Sequence, residues 1–489
     1  MECVIDTPKG RVRGTMHDGV AAFKGIPYAA PPFGPDRLGP PLPARPWDGV
    51  RDALSFGPTP PQPPYRPPFD DMLHNPVLPG DDCLNLNIWT PEPGSARLPV
   101  MVWIHGGAFT NGSGAVPTYD GGAFARDGIV CITINYRLGV EGFAQIAGAP
   151  SNRGLLDQVA ALEWVRDSIA PFGGDPDNVT IFGESAGGMS VASLLSMPRA
   201  EGLFRRAIAQ SGAGHHAISA ATADRISTML AARLGAVPTR EALAALPAET
   251  LVEAQAAISL EALLDRDPQT WGEVAANQMA WEPVVDGEVL PARPIDRIAL
   301  GAGAGVDVMT GTTIEEERLF LVPTGLIEVV PEEMLAAAAA GYGLGTDGVA
   351  VYRSGRPGAS PGDLFSAVAT DWFFRIPALR LAEAHEGHVY EFGWRSPAFD
   401  GRLGACHALE IAFVFDALAT ERGRPLGGDQ APQALADAMH GAWVAFARNG
   451  DPGWPRYRSD RRATMSFGET CKVVEDPRAE ERRLWDGIR

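Results

Sequence analysis

The stretch VTIFGESAGGMSVASLL, Val179 to Leu195, decides the fold. Val179–Phe182 is a short apolar, partly β-branched run, which reads as a buried strand. From Ala186 onward, small and apolar residues follow one another in a way that suits a helix. Between the two lies Gly183-Glu184-Ser185-Ala186-Gly187, a G-x-S-x-G pattern. The bare pattern arises often by chance. The strand before it and the helix after it make it specific, because that is the setting of a nucleophile elbow. A serine on so tight a turn needs neighbours without bulk, hence glycines at 183 and 187. Its hydroxyl then meets the N-terminal end of a helix. The bland alternative is a Gly/Ser turn into a helix, and the rest of the chain weighs against it.

Upstream, Val100–His105 (VMVWIH) and Ile129–Tyr136 (IVCITINY) are nearly continuous apolar runs, as expected for a sheet covered on both faces. Leu84–Trp89 (LNLNIW) alternates. In GLLDQVAALEWVRDSI, Leu155, Val159, Leu162, Val165 and Ile169 form one apolar stripe of a helix, and GGDPDN after it reads as a turn. Strand–helix alternation of this kind predicts an α/β fold with a large, mostly parallel central sheet. Downstream, residues 217–266 are Ala/Leu-rich and helical, and PVVDGEVLP (Pro283–Pro291) returns to extended structure. Residues 335–340 and 378–384 read as helix. ALADAMHGAWVAFARNGDPG is a late amphipathic helix stopped by Asn449–Gly450 and Pro452. No internal repeat or disordered linker divides the chain. A single domain over residues 1–489 is expected, with helical insertions at roughly 217–282 and 325–385.

The Pro-rich run GPTPPQPPYRPPFDDMLHNPVLPGDD, Gly57–Asp82, can form neither a helix nor a central strand. It reads either as an extended surface connection or as a loop at the mouth of a pocket, with Tyr65 and Phe69 as its apolar contacts.

Composition narrows the function classes. With 45% hydrophobic and 21% charged residues over 489 positions, the chain is globular. A net charge of −19 argues against a nucleic-acid partner and against docking on an anionic membrane. No apolar run is long enough to span a bilayer, and MECVIDTPKGRVRG lacks the pattern of a signal peptide. The five cysteines, Cys3, Cys83, Cys131, Cys406 and Cys471, are odd in number and widely scattered, unlike a disulfide framework. A cytoplasmic protein with free thiols is expected. His215 and His216 are adjacent, and His385 with His388 has no third ligand nearby, so no metal is expected.

A serine attacking a carbonyl needs backbone donors for the developing oxyanion. VWIHGGAFTNGSG, Val102–Gly114, is a Gly-rich loop directly after a strand and matches the H-G-G-x type of oxyanion loop. The donors are assigned to the amides of Gly107 and Ala108, with Ala186 as the residue after the nucleophile. Gly106 is a weaker candidate.

At this point the chain resembles a known family, the type-B carboxylesterases of the α/β-hydrolase fold, the group that contains the cholinesterases. The resemblance runs almost end to end: FKGIPYA (Phe23–Ala29), DDCLNLNIW (Asp81–Trp89), HGGAF, NYRLGVEGF (Asn135–Phe143), the long block Asn152–Gly188, AQSGA (Ala209–Ala213) and WVAFARNGDP (Trp443–Pro452). It implies a Ser–Glu–His triad in chain order and no cofactor. Of the histidines after Phe320, which are His385, His388, His407 and His440, only His407 sits in a segment resembling the family's histidine loop, GACHALEIAFVF (Gly404–Phe415). His407 is therefore the expected base. Glu184 and Ser211 match family positions and would support the site from behind. Glu410 either orients the histidine loop or pairs with a backbone amide. Secreted members bridge the cysteine equivalent to Cys83. Here the next cysteine, Cys131, lies in an expected buried strand, so that bridge is not expected.

The acid lies in GTTIEEERLF, Gly311–Phe320, where three glutamates follow one another. Thr312 with Glu315 and Thr313 with Glu316 fit the helix-capping pattern, so all three could be caps and solvated charges. On a helix, consecutive residues point about 100° apart. Glu315 would share its face with Arg318 and Leu319, Glu316 with Leu319 and Phe320, and Glu317 with Phe320 and Leu321. Periodicity demotes Glu315 and leaves the other two open. The family pattern, close to G-T-T-x-Asp-Glu-Gly, aligns its glutamate with Glu316. The chain departs from it at Glu315, where the family has aspartate, and at Glu317, where it has glycine.

The expected function is a serine carboxylesterase that hydrolyses small or aromatic esters through an acyl-enzyme on Ser185. Tyr65, Phe69, Phe320 and Phe373 are expected to line the pocket. The same triad could serve aryl carbamates or amides. The remote alternative is a non-catalytic cholinesterase-like binding module. The expected partner is a small-molecule ester, and the expected state a monomer or weak homo-oligomer.

Overall fold

The computed structural model describes residues 2–418 and 424–489. Two compact units emerge: Met1–Tyr65, His74–Ile208 and Gly214–Asp307 form the first, and Arg66–Leu73, Ala209–Ala213 and Val308–Arg489 the second.

In the first unit, β1 (Glu2–Thr7), β2 (Gly10–His17), β3 (Val20–Pro27), β4 (Asn85–Thr90), β5 (Gly94–Ile104), β6 (Val130–Ile134) and β7 (Phe172–Glu184) line up in the order β1-β2-β3-β4-β6-β5-β7, and β8 (Arg206–Gln210), of which Arg206–Ile208 belong to this unit, follows β7. The outer strands through β4 and β6 pair antiparallel, and β5 runs parallel to both β6 and β7. Non-consecutive neighbours joined in parallel require crossover connections, which is why helices alternate with these strands.

The alternating LNLNIW run, a buried-strand candidate in the sequence, forms β4, which is buried at every position. Its asparagines are satisfied inside: Asn87 Nδ2 donates to Thr133 Oγ1 at 2.9 Å and Asn85 Nδ2 to Pro58 O at 2.8 Å. GGDPDN is not a separate turn but part of β7, which pairs with β5 across shifts in register. Its turn character survives locally, as Asp177 N–H donates to Asp175 Oδ1 at 3.0 Å.

Helix α1 (Arg153–Ser168) buries polar positions as well as its apolar stripe. Asp157 on it accepts three hydrogen bonds from Arg137, one from the backbone N–H and two from the guanidinium, at 2.7–3.0 Å. Burial pulls the Arg137 pKa down, and the charge of Asp157 more than reverses that. Helix α2 (Ala186–Ser196) follows β7. The Ala/Leu-rich stretch supplies α3 (Ala220–Arg233), whose cap Ser219 accepts from Thr222 N–H, and α4 (Ala248–Leu264).

In the second unit, β9 (Asp307–Thr313), β10 (His388–Phe392) and β11 (Ala463–Phe467) pair parallel in that order, and β12 (Lys472–Glu475) pairs antiparallel to β11. Its helices include α5 (Glu332–Gly341), α6 (Thr346–Ser354), α7 (Pro361–Thr370), α8 (Ile376–His385) and α9 (Gln433–Asn449). Ser360 and Asp363 form a capping box at the start of α7. Gly450, left-handed at φ 82°, ends α9. Between α7 and α8, residues Asp371–Arg375 form one π-helical turn. There the Arg375 guanidinium donates twice to Asp371, both at 2.6 Å. Burial alone would raise the Asp371 pKa, but the charge and hydrogen bonds of Arg375 outweigh it and hold the carboxyl low.

Among the described residues, no single helix is long and apolar enough to cross a membrane, and the apolar pair α5 and α6 bends by 115°. All five cysteines are free: Cys83, Cys131 and Cys406 are buried, Cys3 is half-buried and Cys471 is exposed.

Candidate active site

In the first unit, β7 ends at Glu184 and α2 begins at Ala186. Ser185 joins them at φ 58°, ψ −125°, a conformation that costs a non-glycine residue about 1–3 kcal/mol. Backbone contact on both sides enforces it. A Cβ at Gly183 would stand 2.5 Å from Ile104 O, and one at Gly187 only 2.0 Å from the same atom. The end of β5 is thus pressed against the start of α2, and a methyl group at either glycine would force them apart.

The Gly-rich loop follows β5. A Cβ on Gly106 would lie 3.0 Å from Ser185 Cβ and 2.7 Å from Glu184 O, so this loop passes the elbow at backbone distance. Gly107, Ala108, Phe109 and Gly112 all have positive φ (110°, 51°, 59° and 99°). His105 lies beneath the loop, fully buried, with its Nδ1 2.8 Å from Gly106 O and its ring stacked on Tyr136 at 4.5 Å. Burial lowers its pKa to about 4, so the ring is neutral at pH 7, and Nδ1–H donates to Gly106 O. Tyr136 Oη in turn donates to His105 O at 2.8 Å. Glu184 is buried. Burial, then the charge of Glu184, pushes the Tyr65 hydroxyl pKa up. Tyr65 of the Pro-rich run therefore has its hydroxyl within electrostatic reach of the residue preceding Ser185.

In the second unit, the three glutamates do not sit on a helix. They occupy a turn between β9 and the short helix Arg318–Leu321, so the comparison of helical faces does not describe them. Glu316 is fully buried. Its Oε1 accepts from Thr313 N–H at 2.8 Å, and its Oε2 lies 2.6 Å from His407 Nδ1. The backbone adds a further tie, His407 N–H to Glu316 O at 3.2 Å. Glu315 turns the other way. Its carboxylate accepts from Ala405 N–H at 2.9 Å and pairs with Arg318 at 3.0 Å and with Arg395. It is a buttress of the histidine loop rather than a solvated charge. Glu317 presents its backbone N–H to Thr370 Oγ1 at 3.3 Å.

His407 is flanked by aromatic rings, Phe320 at 5.4 Å and Phe374 at 4.8 Å between centroids. Phe373, the ring expected from the sequence, is buried and packs on Phe374 at 5.9 Å. Phe69 sits in a compact turn, its N–H donating to Arg66 O at 2.9 Å and its carbonyl accepting from Leu73 N–H at 2.8 Å. Glu410 is fully buried, and Gln210 Nε2 donates to it at 3.4 Å while Gln210 Oε1 accepts from Trp443 Nε1 at 3.0 Å. Ser211, at φ 46°, is held by its N–H to Gly311 O at 2.8 Å. Cys406, next to His407, is buried, and burial followed by the charges of Glu316 and Glu410 keeps its thiol protonated.

Sequence reasoning passed over Phe374, His105, Tyr136, Gln62 and Asn111. His105 could have been found from the H in H-G-G. Tyr136 and Asn111 lie inside quoted segments, NYRLGVEGF and VWIHGGAFTNGSG, but nothing in either pattern singles them out, and Phe374 and Gln62 carry no motif. Among the described residues, no three His, Cys, Asp or Glu side chains are placed to hold a metal ion.

Comparison with known proteins agrees across the chain. A profile of the Carboxylesterase family matches residues 2–337 and 350–485. The para-nitrobenzyl esterase of Bacillus subtilis (strain 168) is 37% identical, over 98% of this chain and 98% of its own. The phenmedipham hydrolase of Pseudarthrobacter oxydans is 35% identical, over 97% of each. Among solved structures, the carboxylesterase EST55 of Geobacillus stearothermophilus is similar at a TM-score of 0.85 and 38% identity, covering 99% of both chains. Fold and sequence thus converge on the α/β-hydrolase architecture, and the chain belongs to the carboxylesterase family.

Proposed function

We propose that this carboxylic ester hydrolase works through Ser185 as nucleophile, His407 as general base and acid, and Glu316 as the carboxylate that orients His407. The observation that carries this reading is the 2.6 Å contact between His407 Nδ1 and the buried Glu316 carboxylate. With Nδ1–H committed to Glu316, the imidazole lone pair is on Nε2, the tautomer a general base needs. Nε2 takes the Ser185 proton as Oγ bonds to the ester carbonyl carbon. The carbonyl oxygen, now an anion, is held by the amides of Gly107, Ala108 and Ala186. When the C–O bond to the leaving group breaks, His407 returns the proton to the departing alcohol. Water then repeats the sequence on the acyl-enzyme and releases the carboxylic acid. Glu184, Ser211 and Glu410 support the site from behind.

The proposed substrates are small or aromatic esters. Phe320 and Phe374 against His407 favour a flat apolar group beside the base, and Tyr65, Phe69 and Phe373 are proposed to extend that wall. A second reading, the same chemistry on aryl carbamates, is favoured by the likeness to an enzyme named for hydrolysing phenmedipham, a carbamate. The five free cysteines support a cytoplasmic setting. A panel of p-nitrophenyl esters, aryl carbamates and anilides tests the assignment. Esters should turn over fastest, and an enzyme markedly faster on carbamates would favour the second reading.

A further inference from the structure

We propose that Gln62 is a positioning residue of the oxyanion loop, its side-chain amide clasping the backbone of Gly112 so that the Gly107–Asn111 turn keeps its shape. The inference rests on the assignment of the Gly107 and Ala108 amides to the oxyanion. Two of the loop's left-handed residues, Ala108 and Phe109, are not glycine. Each is disfavoured against an extended or helical alternative, so the turn persists only if its surroundings hold it.

Three sets of contacts do so. Within the turn, the N–H groups of Thr110 and Asn111 both donate to Gly107 O at 2.9 Å. Below it, His105 donates to Gly106 O. On the remaining side stands the Pro-rich segment. Gln62 Oε1 accepts from Gly112 N–H at 2.8 Å, and Gln62 Nε2 donates to Gly112 O at 3.0 Å. Asn111 Nδ2 adds a bond to Pro63 O at 2.6 Å. Gln62 and Asn111 are both buried, at 7% and 8% exposure, so water does not substitute for these bonds. A primary amide carries N–H donors and a carbonyl acceptor in one plane, so one donor and the acceptor complement a single residue's C=O and N–H, while Gln62 Nε2 also donates to Pro60 O at 3.3 Å within its own segment. No side chain could fill the gap from the other strand of the clasp, since a Cβ on Gly112 would stand 2.5 Å from His105 Nδ1. Pro60, Pro61, Pro63 and Pro64 flank Gln62 and fix φ around it, so the amide is carried on a stiff frame.

The test uses Gln62→Met, which has similar length and makes neither bond, and Gln62→Glu, which keeps only the acceptor. Active sites are counted by titration with an organophosphate. For Gln62→Met, kcat should fall about 10- to 100-fold, below the cost of deleting an oxyanion donor outright. KM should stay within about twofold of the parent. A trifluoromethyl ketone, which adds to the serine and forms an oxyanion, should lose affinity in proportion to kcat/KM. Gln62→Glu should fall between parent and Gln62→Met. Folded variants with parental kcat would overturn the proposal, as would a loss confined to KM or a ketone that binds the variants as tightly as the parent. Failure of both variants to fold would overturn it too, since the clasp would then be a folding element. A parent enzyme that the ketone does not inhibit would instead bring down the oxyanion assignment itself, which separates the two failures.

Discussion

The elbow and Gly-rich loop of the first unit are shaped by backbone, whereas Glu316 and His407 of the second are held by side chains. Around Ser185 the controlling contacts are glycines against carbonyl oxygens, with a Cβ at Gly187 falling 2.0 Å from Ile104 O. Around His407 they are carboxylates, Glu316 on the ring and Glu315 on the Ala405 amide. Stereochemistry therefore limits what the first region tolerates, and charge limits the second. A methyl group is the most damaging small change in one, and a carboxylate made into an amide is the most damaging in the other.

The largest expected effect removes the proposed nucleophile. Ser185→Ala should lower kcat on the order of 10⁶-fold and abolish organophosphate labelling; label retained at another residue would displace Ser185 from its role. Next, Glu316→Gln should lower kcat on the order of 10⁴-fold with folding intact, because the amide can present a donor to Nδ1 and favour the wrong tautomer. Glu317→Gln, one residue on, should stay near the parent, and a reversal of the two results would exchange their roles. On the backbone side, Gly107→Ala places a Cβ 2.3 Å from Asn111 O at φ 110°. Steady-state kinetics should show kcat down about 10²–10³-fold with little change in KM. A fall in KM affinity alone would mean that the loop binds substrate rather than the oxyanion.

The smallest effect separates the regions by pH. The folded-state pKa of His105 is lowered to about 4 by burial, against an unfolded value near 6.5. Between those values the unfolded chain binds a proton that the folded chain refuses, so stability rises with pH across that window and is lost as pH falls through it. The loss amounts to about 3 kcal/mol by pH 4. Urea unfolding of His105→Gln should show a flatter dependence over the same window. An unchanged slope would move the acid sensitivity to other groups.

The fold class was legible because continuous apolar strands and the elbow carry period and punctuation that survive in sequence. The strand–turn–helix elbow at Ser185 and the Gly-rich loop after β5 were legible for the same reason. The proposed acid was not legible from periodicity: helical faces do not apply to Glu315–Glu317, which lie on a turn, and the resemblance alone distinguished Glu316 from Glu317. Phe374 lies in the π-helical turn at Asp371–Arg375, which no sequence motif marks, so nothing local pointed to its ring contact with His407. Gln62 was hidden because a polar residue among prolines reads as solvated, and nothing local announces that its amide is buried against Gly112.

The distribution of thiols has a practical consequence for anyone attaching this protein to a probe or a surface. Cys83, Cys131 and Cys406 are buried, with thiol pKa values pushed up by burial, and Cys3 is half-buried with its thiol raised as well. Cys471 alone is exposed, just before β12 and far along the chain from Ser185, Glu316 and His407. A maleimide under mild conditions therefore has one ready address, and the native sequence already carries a single-site handle for immobilisation or fluorescence without an engineered cysteine.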